Sequence, residues 1–105
     1  MEQVWLKSYE KGVPATIDPD QYESLNALFA ETFVKYKVHP AFANMGQVIT
    51  YAELDRQSRN FAAFLQNKLH MVAGDRFAIM LPNVIQYPVA LLGILRAGCI
   101  AVNVN

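Results

Sequence analysis

Only one cysteine, Cys99, occurs among the 105 residues, which excludes an internal disulfide framework and fits a reducing compartment. Charge of either sign is scarce: charged residues make up 17%, with nine basic against nine acidic and a formal net charge of zero. No run of like charge interrupts that balance, so nothing recommends nucleic acid as a partner or an anionic membrane surface. Long hydrophobic runs are also missing. The longest, residues 89–95, stops at Arg96, far below the roughly 20 residues a membrane-spanning helix needs. The opening "MEQVWLKSYEKG" has no apolar core and no small-residue cleavage site, so no secretory signal is expected there. Together these absences lead to the expectation of a cytoplasmic chain, with peripheral contact to the inner membrane left open. Glycine is sparse as well, five in all, and none is followed by Lys-Ser or Lys-Thr, so a Walker-type phosphate loop is excluded.

Apolar residues are abundant instead. They make up 53%, more than a chain of 11.8 kDa ordinarily hides within itself. The excess implies burial against something outside these residues. Residues 1–23 carry Gly12, Pro14 and Pro19 among polar and aromatic residues and read as an extended arm, with Trp5 and Tyr9 as its expected anchors. Residues 24–105 read as an incomplete α/β unit. Ser24 is placed to cap a first helix whose apolar face holds Leu25, Leu28, Phe29, Phe33 and Tyr36, and which must end before Pro40. A short hairpin follows over 41–44 and 47–50, turning at Met45-Gly46. Thr50 and Glu53 have the spacing of a capping box for a second helix, with Leu54, Ser58, Phe61, Ala62, Leu65 and Leu69 inward and Arg56, Arg59, Gln66 and Lys68 toward water.

After a Gly74-Asp75 turn, residues 76–81 form a strand apolar on both faces, the pattern of a central parallel strand. Asn83 is placed to cap a third helix that runs to Ala97 and is stopped by Gly98, and a strand over 99–104 completes a βαβ crossover, expected right-handed. Pro88 fits that helix only in its first turn. The closing "VALLGILRAGCIAVNVN" is thus helix, stop and strand. A strand of this kind wants neighbours, and the expectation is that they lie beyond Asn105.

Candidate chemistry is thin. The turn "LPNVIQ" between strand and helix lacks the glycines that let a pyrophosphate approach the backbone, which disfavours a nucleotide-binding half-domain. Cys99 has no neighbouring base to lower its pKa and reads as a small core residue. His39 and His70 have no Cys or carboxylate cluster at ligand spacing. His70 suits the end of the second helix. The pairs Asp18/Asp20 and Glu53/Asp55 are conceivable acid–base pairs. Turn chemistry accounts for Asp18, however, and capping for Glu53. No catalytic, cofactor-binding or metal-binding residue is assigned.

Taken in order, "PAFANMGQVITYAELDRQSRNFAAFLQNKL" and "GDRFAIMLPNVIQYPVALLGILRAGCIAVNVN" resemble the opening of the adenylate-forming acyl-CoA synthetases. The arm, "VWLKSYEKGVPATIDPDQYESL", resembles more narrowly that of the bacterial long-chain-fatty-acid–CoA ligases. The resemblance implies a partial N-terminal subdomain of the adenylate-forming fold, built from an arm, a hairpin and a βαβ crossover with flanking helices. It implies a parent enzyme that joins a fatty acid to coenzyme A through an acyl-adenylate, using ATP and Mg2+ and releasing AMP and pyrophosphate. The family's phosphate loop, adenylate motifs, hinge and C-terminal lysine match no position here. Asn83, Arg96, Gly98 and Asn103 match recurring family positions and are given structural roles: cap, helix end, stop and strand edge.

The expected partner is therefore the remainder of the parent, with self-association of this segment alone and no catalysis of its own. The alternative is a self-contained assembly module that pairs through its last strand.

Overall fold

A computed structural model of the chain describes residues 3–105. Residues Val4–Ser8 form a short 3-10 turn, and the chain then runs without regular structure to Ser24. The expected arm over 1–23 includes Met1 and Glu2, which lie outside the described residues. Trp5 and Tyr9 are not buried against the described residues: they remain 47% and 42% exposed. Asp18 makes the expected local turn, its Oδ1 accepting from the Asp20 N–H at 2.9 Å.

Helix α1 (Leu25–Lys35) starts where Ser24 Oγ accepts the Ala27 N–H at 3.0 Å. Its face is narrower than expected. Phe33 is buried and Leu28 and Phe29 are half-buried, but Leu25 and Tyr36 are exposed. Along α1, Asn26, Phe29 and Phe33 reach the body, and Tyr36 falls past the helix end, where its ring stands near His39 and Tyr51.

Strands β1 (Pro40–Asn44) and β2 (Gln47–Thr50) pair antiparallel as expected. The turn has positive φ at both Met45 (50°) and Gly46 (81°), which is the type I′ signature that matches strand twist. A bulge at Ala41, next to the donor-less Pro40, lets the strand reach the following helix out of strict register.

Helix α2 (Tyr51–Asn67) is capped by Thr50 Oγ1, which accepts the Glu53 N–H at 3.2 Å. The expected reciprocal half of the box is not seen. The Glu53 carboxylate instead accepts from the Arg56 guanidinium and from Gln57 Nε2, donors placed by the i+3 and i+4 geometry of the helix. Leu54, Ser58, Ala62 and Leu65 are buried and Phe61 is half-buried, while Leu69 is exposed because the helix has ended at Asn67.

Strand β3 (Arg76–Ile79) stops two residues short of the expected Leu81, and Met80 and Leu81 are exposed. Helix α3 (Gln86–Arg96) is not capped by Asn83. Ile85 holds the N-cap position without a side-chain bond, and the Asn83 carbonyl instead accepts from Asn44 Nδ2 at 3.0 Å, tying the loop to the hairpin. Pro88 is the third residue of α3, in the first turn, where the missing N–H would have had no helical partner. At the other end, Gly98 has φ 79°, its N–H bonds the Leu95 carbonyl at 3.0 Å, and the Cys99 N–H bonds that of Ile94 at 3.1 Å. That pair of bonds is a Schellman stop, so the expected glycine terminator is confirmed in detail. Strand β4 (Ile100–Asn103) then pairs parallel with β3, Phe77 opposite Ala101 and Ile79 opposite Asn103.

Two apolar clusters hold the unit together. Ala62, Leu65, Ile79, Ile94, Ala97 and Cys99 pack between the β3–β4 pair and the helices; Phe33, Ile49, Leu54 and Leu92 join α1 and the hairpin to α2 and α3. The helices α2 and α3 approach closely at Gly93, where an added Cβ would lie 2.7 Å from Phe61 Cδ2 and 3.1 Å from the Ser58 carbonyl. Gly93→Ala is therefore expected to destabilise the fold by about 1–3 kcal/mol through overpacking, despite alanine's better helix propensity. Denaturant titration checks this, and an unchanged or raised midpoint would contradict the close approach.

The hydrogen bonds from Arg56 and then Gln57 hold the Glu53 carboxyl down from 4.5 to about 2. A carboxyl depressed in the folded state adds stability that is present above its ordinary pKa and lost as pH falls toward 2. Glu53→Gln is expected to lower the thermal midpoint modestly above about pH 4.5 and to converge on the unsubstituted chain as pH falls toward 2, so that the acid limb of stability flattens, as read from thermal midpoints across pH.

Candidate functional site

Side chains alternate along the β3–β4 pair. Phe77, Ile79 and Ala101 face the helices, and Ala78, Met80, Ile100, Val102 and Val104 face away. Apart from Arg76 at its start, the outward set is apolar yet uncovered: Met80 is 69% exposed and Ile100 48%. Parallel strands with apolar residues on both faces ordinarily carry helices on both. Here α2 and α3 occupy one side only. The whole chain exposes 8106 Å², against about 5,900 Å² for a folded monomer of its mass. The extended arm supplies part of that difference and the open sheet face another part.

Polar residues do not gather into a reacting centre. Asp55 Oδ1 pairs with the Arg96 guanidinium at 2.7 Å, and its other oxygen with Arg59 at 3.1 Å. Glu53 is engaged by Arg56, so the imagined Glu53/Asp55 acid–base pair is two separate ion pairs. Arg96 also donates to the Asp55 carbonyl and to Ser58 Oγ, each at 2.8 Å, and lies over the Phe33 ring at 5.2 Å. Its expected role as a helix end is thereby enlarged to a junction of three helices. Sequence spacing shows only that Asp55 and Ser58 share a face of α2, not that an arginine 41 residues away meets them. Gly93 gives no local signal either, because its reason is a neighbour remote in sequence.

Cys99 is buried, with its thiol directed to the Val72 carbonyl at 3.7 Å, which fits a small core residue. The His39 backbone carbonyl accepts from Tyr51, and His70 leaves α2 exposed with φ 54°. Among the described residues, no three His, Cys, Asp or Glu side chains converge as a metal would require. Asn103 Oδ1 accepts from the Tyr87 hydroxyl, bracing the end of β4 against α3. Between the hairpin and the start of α3 lies an apolar groove of about 360 Å³, walled by Phe42, Val84, Pro88 and Leu91.

The β3–α3 turn is where a nucleotide phosphate would be sought in such a crossover. Its Val84 N–H bonds the Pro82 carbonyl at 2.8 Å and its Tyr87 N–H the Val84 carbonyl at 3.0 Å. Both donors point back into the turn. These residues do not fit a Mg·ATP phosphate cradle, so no chemical step is routed through them.

Residues 29–105 match a family model described as AMP-binding enzyme. The chain belongs to the AMP-binding enzyme family. It is 55% identical over 105 residues to a long-chain-fatty-acid–CoA ligase of Yersinia pestis, an alignment covering 100% of this chain and 19% of that protein. The fold is similar to the N-terminal subdomain of Klebsiella oxytoca NpsA in complex with 3-hydroxyanthranilyl-AMSN, at TM-score 0.76 and 28% identity over 81% of this chain and 22% of that one. It is also similar to a fatty acid AMP ligase from Legionella pneumophila, at TM-score 0.71 and 27% identity over 85% of this chain and 16% of that one. The chain spans about one fifth of the length of the curated relatives it matches, 19% for the ligase just described. Membership of the AMP-binding enzyme family bears out the fold class read from the sequence: a partial α/β subdomain of the adenylate-forming fold.

For a member of this family the open sheet face, not a pocket, is the feature that asks for a partner. Val102→Lys, on the outward face, is expected to shift stability by no more than about 0.5 kcal/mol. Ile79→Ala, on the inward face, is expected to cost about 2–5 kcal/mol. Equal losses in paired denaturation curves would mean that the outward face is part of this chain's own core.

Proposed function

We propose that this chain is the N-terminal scaffold segment of an ATP-dependent long-chain fatty acid–CoA ligase. The observation that carries the reading is 55% identity, along all 105 residues, to a protein of that activity. The one-sided parallel pair supports it, since a strand pair of this kind is stable as part of a larger, doubly covered sheet. The parent would activate a fatty acid with ATP and Mg2+, releasing pyrophosphate, and pass the acyl group to the thiol of coenzyme A. Adenylation is needed because a carboxylate offers only oxide as a leaving group. Charge on the transferring phosphoryl group then has to be met by metal and by preorganised donors. The glycine-free turn before α3 is not built for that task, so this segment supplies packing and the rest of the enzyme supplies chemistry.

The partner in this reading is the remainder of the parent, seated on the face formed by Ala78, Met80, Ile100, Val102 and Val104. The same face makes the isolated chain self-associate. A cytoplasmic parent, with peripheral contact at the inner membrane, belongs to the same proposal. The purified chain is expected to show no ATP–pyrophosphate exchange with fatty acids and to scatter light as a dimer or larger species. Exchange above a heat-killed control would overturn the catalytic part, and a clean monomer across a wide concentration range would overturn the account of the open face.

The exposed edge of β4 favours a second reading, a self-contained assembly module that pairs through that strand. The coding sequence after codon 105 separates the two: an open frame leading into a Thr/Gly-rich loop supports the ligase, and a stop supports the module.

A further inference from the structure

Helix α1 is held far more lightly than its neighbours. One of its eleven residues, Phe33, is buried, whereas α2 and α3 each bury four. Leu25 and Val34 on the same helix are exposed. A cleft of about 270 Å³ opens on one side of Phe33, toward Asn26, Leu92 and Arg96. Another of about 390 Å³ opens on the other, toward Val34, Lys37 and Arg59. The helix therefore rests on a single ridge with unfilled space along both flanks. Among the described residues its polar attachments to the body are two: Asn26 Nδ2 donates to the Leu95 carbonyl at 2.9 Å, and the Arg96 guanidinium lies over the Phe33 ring.

The seat for those attachments exists without α1. Asp55 and Ser58 already fix the Arg96 guanidinium, and both belong to α2. Preceding α1, the 3-10 turn buries no side chain. Following it, the chain is tied down again at once: the Lys37 carbonyl accepts from the Ala52 N–H at 2.9 Å and the His39 carbonyl from the Tyr51 N–H at 3.0 Å. Between the loosely seated helix and this anchor stands Tyr36, whose φ of −118° already departs from the helix.

We propose that α1 and the arm before it form a strap, hinged at Tyr36, that lifts from and reseats on the α2–α3 body as one unit. Phe33 and Asn26 are its clasp; Arg96 and the Leu95 carbonyl are the catch. Lifting the strap joins the two clefts into one surface along Leu92 and Arg96, while the Arg96–Asp55 pair stays made. This goes beyond the ligase reading and does not depend on it, because it concerns the stability of one element relative to another within the chain.

Native-state hydrogen exchange of the 105-residue chain tests it. The amides of residues 29–35 are expected to share one opening equilibrium and to exchange at least about 100-fold faster than those in the middle of α2. Phe33→Ala is expected to speed α1 exchange a further 10-fold or so, with α2 unchanged within about 2-fold. Asn26→Ala, at an exposed position, keeps the test open if the phenylalanine variant behaves poorly, and is expected to speed α1 alone by several fold. Equal protection in α1 and α2 would overturn the strap. So would a graded fraying from Leu25 inward that ignores both substitutions, loss of α2 protection in either variant, or an α2 with no protection to compare against.

Discussion

Arg96 is the residue on which the arrangement of helices depends. Its guanidinium reaches from the last turn of α3 to the carboxylate, backbone carbonyl and hydroxyl side of α2, and its face supports Phe33 of α1. Each of these contacts uses a different property of the group: its charge, its fan of donors and its flat π-surface. Lysine would keep the charge and some donors but not the planar fork that meets three partners and a ring at once. Both partners of the ion pair are about a quarter exposed, at 24% each, so water offsets part of the desolvation that a sealed pair would suffer. Ser58 is fully buried and still satisfied, since it accepts from Arg96 and donates to the Asp55 carbonyl. A polar residue in the apolar stripe of α2 is thereby explained by a partner on another helix.

Around that junction the chain is a layer with one finished side. Gly93 allows α2 and α3 to approach until Phe61 fills the space a side chain would have taken, and the helix pair so formed covers one face of β3–β4. On the far face, apolar residues stand in water. The arm and α1 are similarly underpacked. Uneven packing of this kind is expected of a segment that contributes surface to a larger enzyme of the AMP-binding family. It also leaves parts of the segment free to move independently of the body.

Much of the local structure was legible in the sequence because its causes are local. Ser24 and Thr50 cap the helices they precede, Met45-Gly46 turns the hairpin, and Gly98 ends α3 in the left-handed conformation. The misses share a different cause. Asn83 looked like a cap, but its carbonyl is held by Asn44 of the hairpin, 39 residues away, and α3 begins later. Glu53 had the spacing of a reciprocal capping residue, but Arg56 and Gln57 competed for its carboxylate and won, since charged and paired donors outweigh one backbone N–H. Leu25, Tyr36 and Leu69 followed an apolar period that ran past the length of helix actually packed. Trp5 and Tyr9 find no surface among the described residues, and aromatic size carries no information about whether one is within reach.

By itself the sequence determined the order of elements, the parallel character of the last two strands and the family. All of these follow from periodicity, capping residues and motifs a few residues long, where interacting groups are also neighbours in the chain. Only the tertiary structure decided that Arg96 joins three helices, that Gly93 is a contact point, that α1 rests on a single ridge and that one sheet face is bare. Those outcomes depend on groups separated by up to 69 residues in sequence, as between Asn26 and Leu95. Which of them meet is set by how the packed layers close on one another, and no short stretch of the chain contains that information.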